Sequence, residues 1–487
     1  MKTLKYIIGI FLVGSFLTFT SCYDMDLFPQ DQLGPGTFWK TERDIQMGVA
    51  GVYSKMKQGH KDWARYWLEG ISDNAYCMHP SQGGYFNLQI GNLETSSGVV
   101  SSLFAGNYSS IAACNNFMKN FPEAKVNAKI SDAKANEYEA EVRFLRAWSY
   151  FELVQRYGDV PLYKEAIESV EASKVKQSPA SEVYAFINED LDFAIKNLPD
   201  EAYGGGHAVK ASAQGMKARV ALFRGEWDAV ESTTKEIISS SKYRLADTYE
   251  SIFIKREGQK DNPEILFSVT YLNPDYRHDA EREFYYWSAL VPTVDLMAQY
   301  DHEVDKRAKA WYVHAEEGGK TWINPMGDLA MIEQNSLTQW IVLKHFDKNE
   351  PSKYAHSAYD FRTDNDAIII RYADIYLMYI EAMVEKGGGT TTDANAVKYM
   401  NAIKERAGLP GVTSVTRDEL RLERRRELAY EGLRHFDLIR WKTAKEVMSK
   451  LVTPGGQCRF DDRSYIWPFP LSEMDINPNL DQKAGYN

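Results

Sequence analysis

Apolar side chains recur at steps of three and four along two long stretches of this chain, and that spacing predicts helices. The clearest run covers 132–157. Ala140, Phe144, Ala147, Phe151 and Val154 share one face there, and Gly158 and Pro161 stop the pattern. Ser178 and Pro179 predict the next start, as N-cap and first-turn proline, of a helix carrying Val183, Ile187, Leu191 and Ile195. Thr41 and Asp44 open a helix through Lys57, and 108–120 suggests another.

Two helical hairpins follow. Segments 209–224 and 226–241 flank a break at Gly225. The run Ala218-Arg219-Val220-Ala221-Leu222-Phe223, then Gly225, Trp227 and Ala229, resembles a tetratricopeptide repeat. Its small residues let paired helices approach closely, and its large ones fill the space between pairs. Near the C-terminus, Ile375, Met378, Tyr379 and Ala382 mark a helix over 371–386, ended by Gly387-Gly388-Gly389. Its partner spans 393–407 and stops at Gly408 and Pro410. A capping box at Thr416 and Glu419 starts a further helix through Glu431.

The expected fold is therefore mostly α: a tetratricopeptide-like scaffold of helical pairs at 41–241 and 371–450, within one domain over 37–487. Two stretches depart from the helical pattern. Residues 70–105 are rich in Gly, Ser and Asn, and 245–370 mixes short apolar runs with turn residues and aromatics. Both read as loop and short-strand insertions forming a ligand-binding face, since function tends to sit on loops held by a rigid scaffold.

The N-terminus adds a destination. Lys2 and Lys5 precede an apolar stretch from Tyr6 to Phe19, long enough for a signal-peptide core and short of a membrane span. Residues 1–21 are thus an expected export signal. The ending Thr20-Ser21-Cys22 resembles a bacterial lipobox, which implies lipid attachment at Cys22. Residues 22–36 then form a tether with Pro29, Gly34, Pro35 and Gly36. No second apolar run is long enough to cross a membrane.

Charge and motif searches remove several function classes. The net charge of −11 makes nucleic acid a poor partner and weakly favours neutral ligands. Beyond Cys22, Cys77, Cys114 and Cys458 are an odd number at wide spacing, which fits buried free thiols better than a disulfide framework or zinc site. There is no P-loop, no G-x-S-x-G elbow and no H-E-x-x-H, and no cofactor is expected. Asp275, Asp279 and Glu281, or Asp364 and Asp366, could collect calcium, but neither set matches an EF-hand and solvated turns are the simpler reading. Glu423, Glu427 and Glu431 share a helix face among Arg424, Arg425, Arg426 and Arg434. Nearby cations keep carboxylates ionised, so this segment reads as a structural ion-pair network and not as a general acid. Arg143 and Arg146 read likewise as interhelical pairing residues.

Several segments resemble the SusD/RagB family of nutrient-binding lipoproteins. They are Ala140-Glu141-Val142-Arg143-Phe144-Leu145-Arg146-Ala147 with Tyr157-Gly158-Asp159-Val160-Pro161-Leu162, then Arg371-Tyr372-Ala373-Asp374 with Glu381-Ala382, and Asn401 through Gly408. Glu423 through Leu428, Phe436 through Trp441, and Trp467-Pro468-Phe469-Pro470 follow in the family's order. The resemblance implies a non-enzymatic protein on the outer membrane, lipid-anchored and facing the exterior. It also implies a partner, a SusC-like TonB-dependent transporter that receives the captured nutrient.

Sugars present flat C–H faces ringed by hydroxyls, so a complementary site needs aromatic platforms beside amides and carboxylates. The chain has 11 Trp and 30 Tyr, enough for both core and platform. Two segments supply the combination: Asp73, Tyr76, Tyr85 and Asn87, and Tyr286, Trp287, Trp311 and Trp322. Core packing is the competing reading for each aromatic. The expected function is capture of an oligosaccharide without cleavage. Peptide binding, a surface glycoside hydrolase and a pure scaffold are the alternatives.

Overall fold

The computed structural model describes residues 38–59, 61–78, 84–314, 340–347 and 362–486. Helix α1 (Glu42–Met56) starts at a complete capping box. Thr41 Oγ1 accepts from the Asp44 N–H at 3.3 Å, and the Asp44 carboxylate accepts from the Thr41 N–H at 2.8 Å. Next come α2 (Gly84–Gln89), α3 (Gly98–Ala128), α4 (Asp132–Tyr157), α5 (Ala180–Asn197), α6 (Lys210–Arg224) and α7 (Trp227–Ser239). The C-terminal set is α8 (Tyr372–Lys386), α9 (Ala394–Ala407), α10 (Arg417–Leu428) and α11 (Arg434–Arg440).

Each long helix packs on its successor. The order runs from α1 and α3 through α4, α5, α6 and α7 to α8 and then α9. Because α8 lies directly against α7, the chain between them leaves the stack and returns to it, as an insertion must. That insertion carries β2 (Ile265–Val269), β3 (Leu290–Pro292), β4 (Tyr312–His314), β5 (Trp340–Val342) and β6 (Ala367–Arg371). All pairing is antiparallel: β2 with β6, β4 with β5, and β3 with β1 (Ala75–Cys77). The β2–β6 ribbon is buried throughout and lies against α6. Gly215 makes that approach possible, since a methyl group there would sit 2.8 Å from Ile370 Cγ2. Among the described residues no helix is long and apolar enough to cross a membrane.

Three boundaries differ from expectation. Helix α3 runs 31 residues and begins inside the stretch read as irregular. It contains the expected 108–120 segment, and Asn107, Ser110 and Asn115 are its buried polar residues. They serve as internal partners: Asn107 and Ser110 accept from Lys61 Nζ at 2.9 and 3.0 Å, and Asn115 donates to the Tyr163 carbonyl. Ser178 does not cap α5. Pro179 occupies the cap, and Asp159 accepts from the Ala180 N–H at 2.7 Å. Helix α10 stops at Leu428, before Glu431, where Tyr430 and Gly432 take positive φ.

The charged segment in α10 does pin elements together, but through distant partners. Glu427 accepts from Arg371 at 2.7 Å, Arg406 at 2.6 Å and Arg307 at 3.0 Å. Glu423 accepts from Arg307 at 2.6 Å, and Glu431 from Arg371 and Lys344 at 2.7 Å each. Arg424 bridges Asp374 of α8 and Asp437 of α11. Arg143 pairs with Glu139, and Arg146 with Asp190 on α5. Cys77, Cys114 and Cys458 are buried free thiols.

Candidate functional site

The segment after α1 builds an aromatic cluster. Asp62 accepts from the Ala64 N–H at 3.0 Å and starts the tight 3-10 segment Trp63–Ile71. Trp63 stacks on His278 with centroids 5.6 Å apart. Trp67 stacks on Tyr85 of α2 at 5.7 Å and meets Phe284 edge-on at 5.4 Å. Phe284 sits in a single π-helical turn, Glu281–Tyr286. Three segments far apart in sequence therefore meet in one packed group.

Beside it opens a groove of about 680 Å³ between Trp67, the α2 segment and the start of α3. Asn87, Asn92, Glu94 and Ser102 line it together with Trp67 and Tyr85. Asn87, Asn92, Glu94 and Ser102 are exposed, while Trp67 and Tyr85 form a nearly buried base. Among the described residues no Lys, Arg or His lines this groove, although Arg463 pairs with Glu94 from beside it at 3.6 Å. Its chemistry is thus two carboxamides, hydroxyls, one carboxylate and aromatic edges, the set that hydrogen-bonds neutral polyols.

Tyr85 and Asn87 of the expected site residues lie in this groove. Trp287 is half-buried beneath the Arg282 guanidinium, 4.8 Å from its ring centroid. Tyr286 closes the π-helical turn through its backbone. Trp322 and Cys22 lie outside the described residues.

The expectation that Asp73, Tyr76 and Trp311 face a ligand is corrected by where they sit. Arg434 holds both Asp73 carboxylate oxygens, at 2.7 and 2.9 Å, and Arg425 lies 3.0 Å away. Burial would raise that carboxyl, but the two guanidinium groups outweigh it and hold it below the usual range. Tyr76 is buried in β1 opposite Val291. Trp311 is 1% exposed, with Lys344 Nζ 3.8 Å over its ring and Tyr249 and Phe253 against its edges. It has no free face for a sugar.

Sequence reasoning missed Trp67, Asn92, Glu94 and Ser102. The one signal was the Asn- and Ser-rich composition of 70–105, which marked the region and not the residues. Among the acids considered for calcium, Asp279 holds Arg282 and Arg362, and Asp366 holds Lys255. Among the described residues no three metal-capable groups converge.

Comparison with known proteins decides the family. The profile described as "SusD family" matches residues 227–486, and one described as "Starch-binding associating with outer membrane" matches 31–222. The chain belongs to the SusD family. Its relatives include the SusD-like protein P2 of Formosa agariphila, 27% identical over 95% of this chain and 96% of that one. A SusD-like protein from Bacteroides fragilis, known from its crystal structure, superposes with a TM-score of 0.77 at 26% identity, covering 94% of this chain and all of that one. The fold also matches surface glycan-binding protein A of Bacteroides thetaiotaomicron in complex with laminarihexaose, with a TM-score of 0.74 at 20% identity over 91% of this chain and 99% of that one. This SusD-family chain thus shares the mostly helical architecture across nearly its full length.

Proposed function

We propose that this SusD-family chain captures a neutral oligosaccharide in the groove beside Trp67 and Tyr85 and passes it, uncleaved, to a TonB-dependent transporter of the outer membrane. The carrying observation is the groove itself. It is open and lined by side-chain amides and hydroxyls over an aromatic base, and among the described lining residues its one charged group, Glu94, pairs with Arg463 at 3.6 Å. Glu94 is its one carboxylate among the described lining residues, whereas glycoside hydrolysis generally uses a facing pair. The glycan-bound and starch-binding names of relatives support the same ligand class. Lipidation at Cys22 would hold the chain at the outer membrane with its groove toward the exterior.

Calorimetric titration of the soluble mature chain with neutral oligosaccharides tests this. Asn87→Ala and Asn92→Ala each remove an exposed amide and should weaken binding by about tenfold without unfolding the protein. Wild-type affinity in both variants, binding of peptides in place of sugars, or release of new reducing ends would overturn the reading.

A further inference from the structure

A second groove, of about 320 Å³, lies between the end of α1, the loop at Gly206-His207 and the hairpin at Tyr271–Tyr276. The hairpin is rigidly rooted. Leu272 and Tyr276 exchange backbone hydrogen bonds at 2.7 and 2.6 Å. The Tyr271 hydroxyl donates to Asp62 at 3.0 Å, and its N–H donates to Asp366 at 3.0 Å. Yet Leu272 and Tyr276 are 62% and 61% exposed. Large side chains held outside on a pinned hairpin are a surface made for contact.

Charge sets this groove apart. Lys57 Nζ stands 4.4 Å from the Tyr271 ring centroid and 4.8 Å from that of Tyr276. It has no ion-pair or hydrogen-bond partner among the described residues, and the acids that act on it at longer range, Asp62 and Asp366, already hold Tyr271 and Lys255. His207 is exposed, with Nδ1 2.6 Å from Glu141 Oε2 and Nε2 without a partner among the described residues. Glu141 is buried and also accepts from the Tyr53 hydroxyl at 2.8 Å. Among the described residues no Asp or Glu lines the groove, in a chain of net charge −11. An ammonium without an ion-pair partner beside an exposed phenol ring selects a ligand that is both anionic and ring-shaped.

We infer that this second groove binds an anionic saccharide, Lys57 and His207 meeting its carboxylate or sulfate while Tyr276 stacks on the adjoining ring. The inference draws only the word saccharide from the function proposed above, because the Lys57 ammonium, His207 and the phenol platform belong to a different groove. Trigalacturonate, its sulfated galactose counterpart and the neutral galactose trimer are the probes for calorimetry on the mature chain. At least one charged trimer should bind about tenfold tighter than the neutral one, and added salt should weaken that binding. The uronate and sulfate arms distinguish the two anion sources. Lys57→Met and Tyr276→Ala, both at surface positions, should each cost about tenfold for the charged trimer, while Asn87→Ala should leave it unchanged. His207→Gln gives an independent, smaller loss. Equal binding of charged and neutral trimers, or wild-type affinity in both Lys57→Met and Tyr276→Ala, overturns the inference. Loss of neutral-glycan binding alone would sink the first groove's function and leave this one standing.

Discussion

Glu427 in the helical scaffold and Glu281 under the aromatic insertion are both buried acids, yet their surroundings differ in every respect. Burial alone would raise the Glu427 carboxyl, but Arg406, Arg371 and Arg307 overcome it and hold the group at about 2. Burial raises Glu281 to about 8, and hydrogen bonds from Thr363 and the Asp347 N–H only partly oppose it. Its charged neighbours Asp347 and Asp364 raise it further. Arginines from the scaffold and from the insertion keep such acids anionic at neutral pH and tie α8, α9, α10 and the insertion strands together. The insertion keeps one acid neutral instead. Burial therefore does not set ionisation by itself; the partner set does.

Acidification exploits the difference most strongly. Glu427, Glu431, Glu381 and Asp73 all have folded values below their ordinary ones, and Asp374 lies lower still. A depressed carboxylate contributes stability above its unfolded value and loses it as pH falls through the folded value. For Glu427 that window runs from 4.5 down to about 2. Urea midpoints should hold steady above pH 5 with respect to these groups and collapse toward pH 2–3, roughly in line with linkage at several sites. A midpoint unchanged across that window would show that the arginines do not stabilise the anions.

Removing one arginine gives the next largest effect. Arg371→Met leaves Glu264, Glu427 and Glu431 short of a buried partner. Breaking such a pair from one side costs about 3–5 kcal/mol, and urea unfolding at neutral pH should show it. The loss should shrink in acid, where the orphaned carboxylates protonate. A loss that is the same at every pH would assign the role of Arg371 to packing.

Part of this is legible in the sequence. The three-and-four spacing of Ala140, Phe144, Ala147 and Phe151 located α4, and Gly225 located the hairpin, because helix periodicity and breakers are local signals. The shared face of Glu423 and Glu427 was legible too. Their partners were not, since Arg307, Arg371 and Arg406 approach from other parts of the chain. Aromatic content could not separate Trp311, sealed under Lys344, from Trp67 at the groove, because residue type carries no direction. Asn92 and Ser102 were hidden for another reason: isolated polar residues in a turn-rich stretch have no period to read.

An effect that is absent near pH 5 and grows as pH rises comes from Glu281→Gln. The folded value of about 8 exceeds the unfolded value near 4.5, so the folded chain keeps a proton that the unfolded chain releases. Wild-type stability should therefore fall as pH rises between those values, by at most about 1.4 kcal/mol per pH unit. The amide has no proton to lose and preserves the shape and an acceptor for Thr363. The variant should match wild type near pH 5 and exceed it by a growing margin toward pH 8, a range in which the scaffold carboxylates contribute no slope. Parallel curves for the two proteins would mean that Glu281 is ionised at neutral pH, and that a cation offsets its charge as the arginines offset that of Glu427.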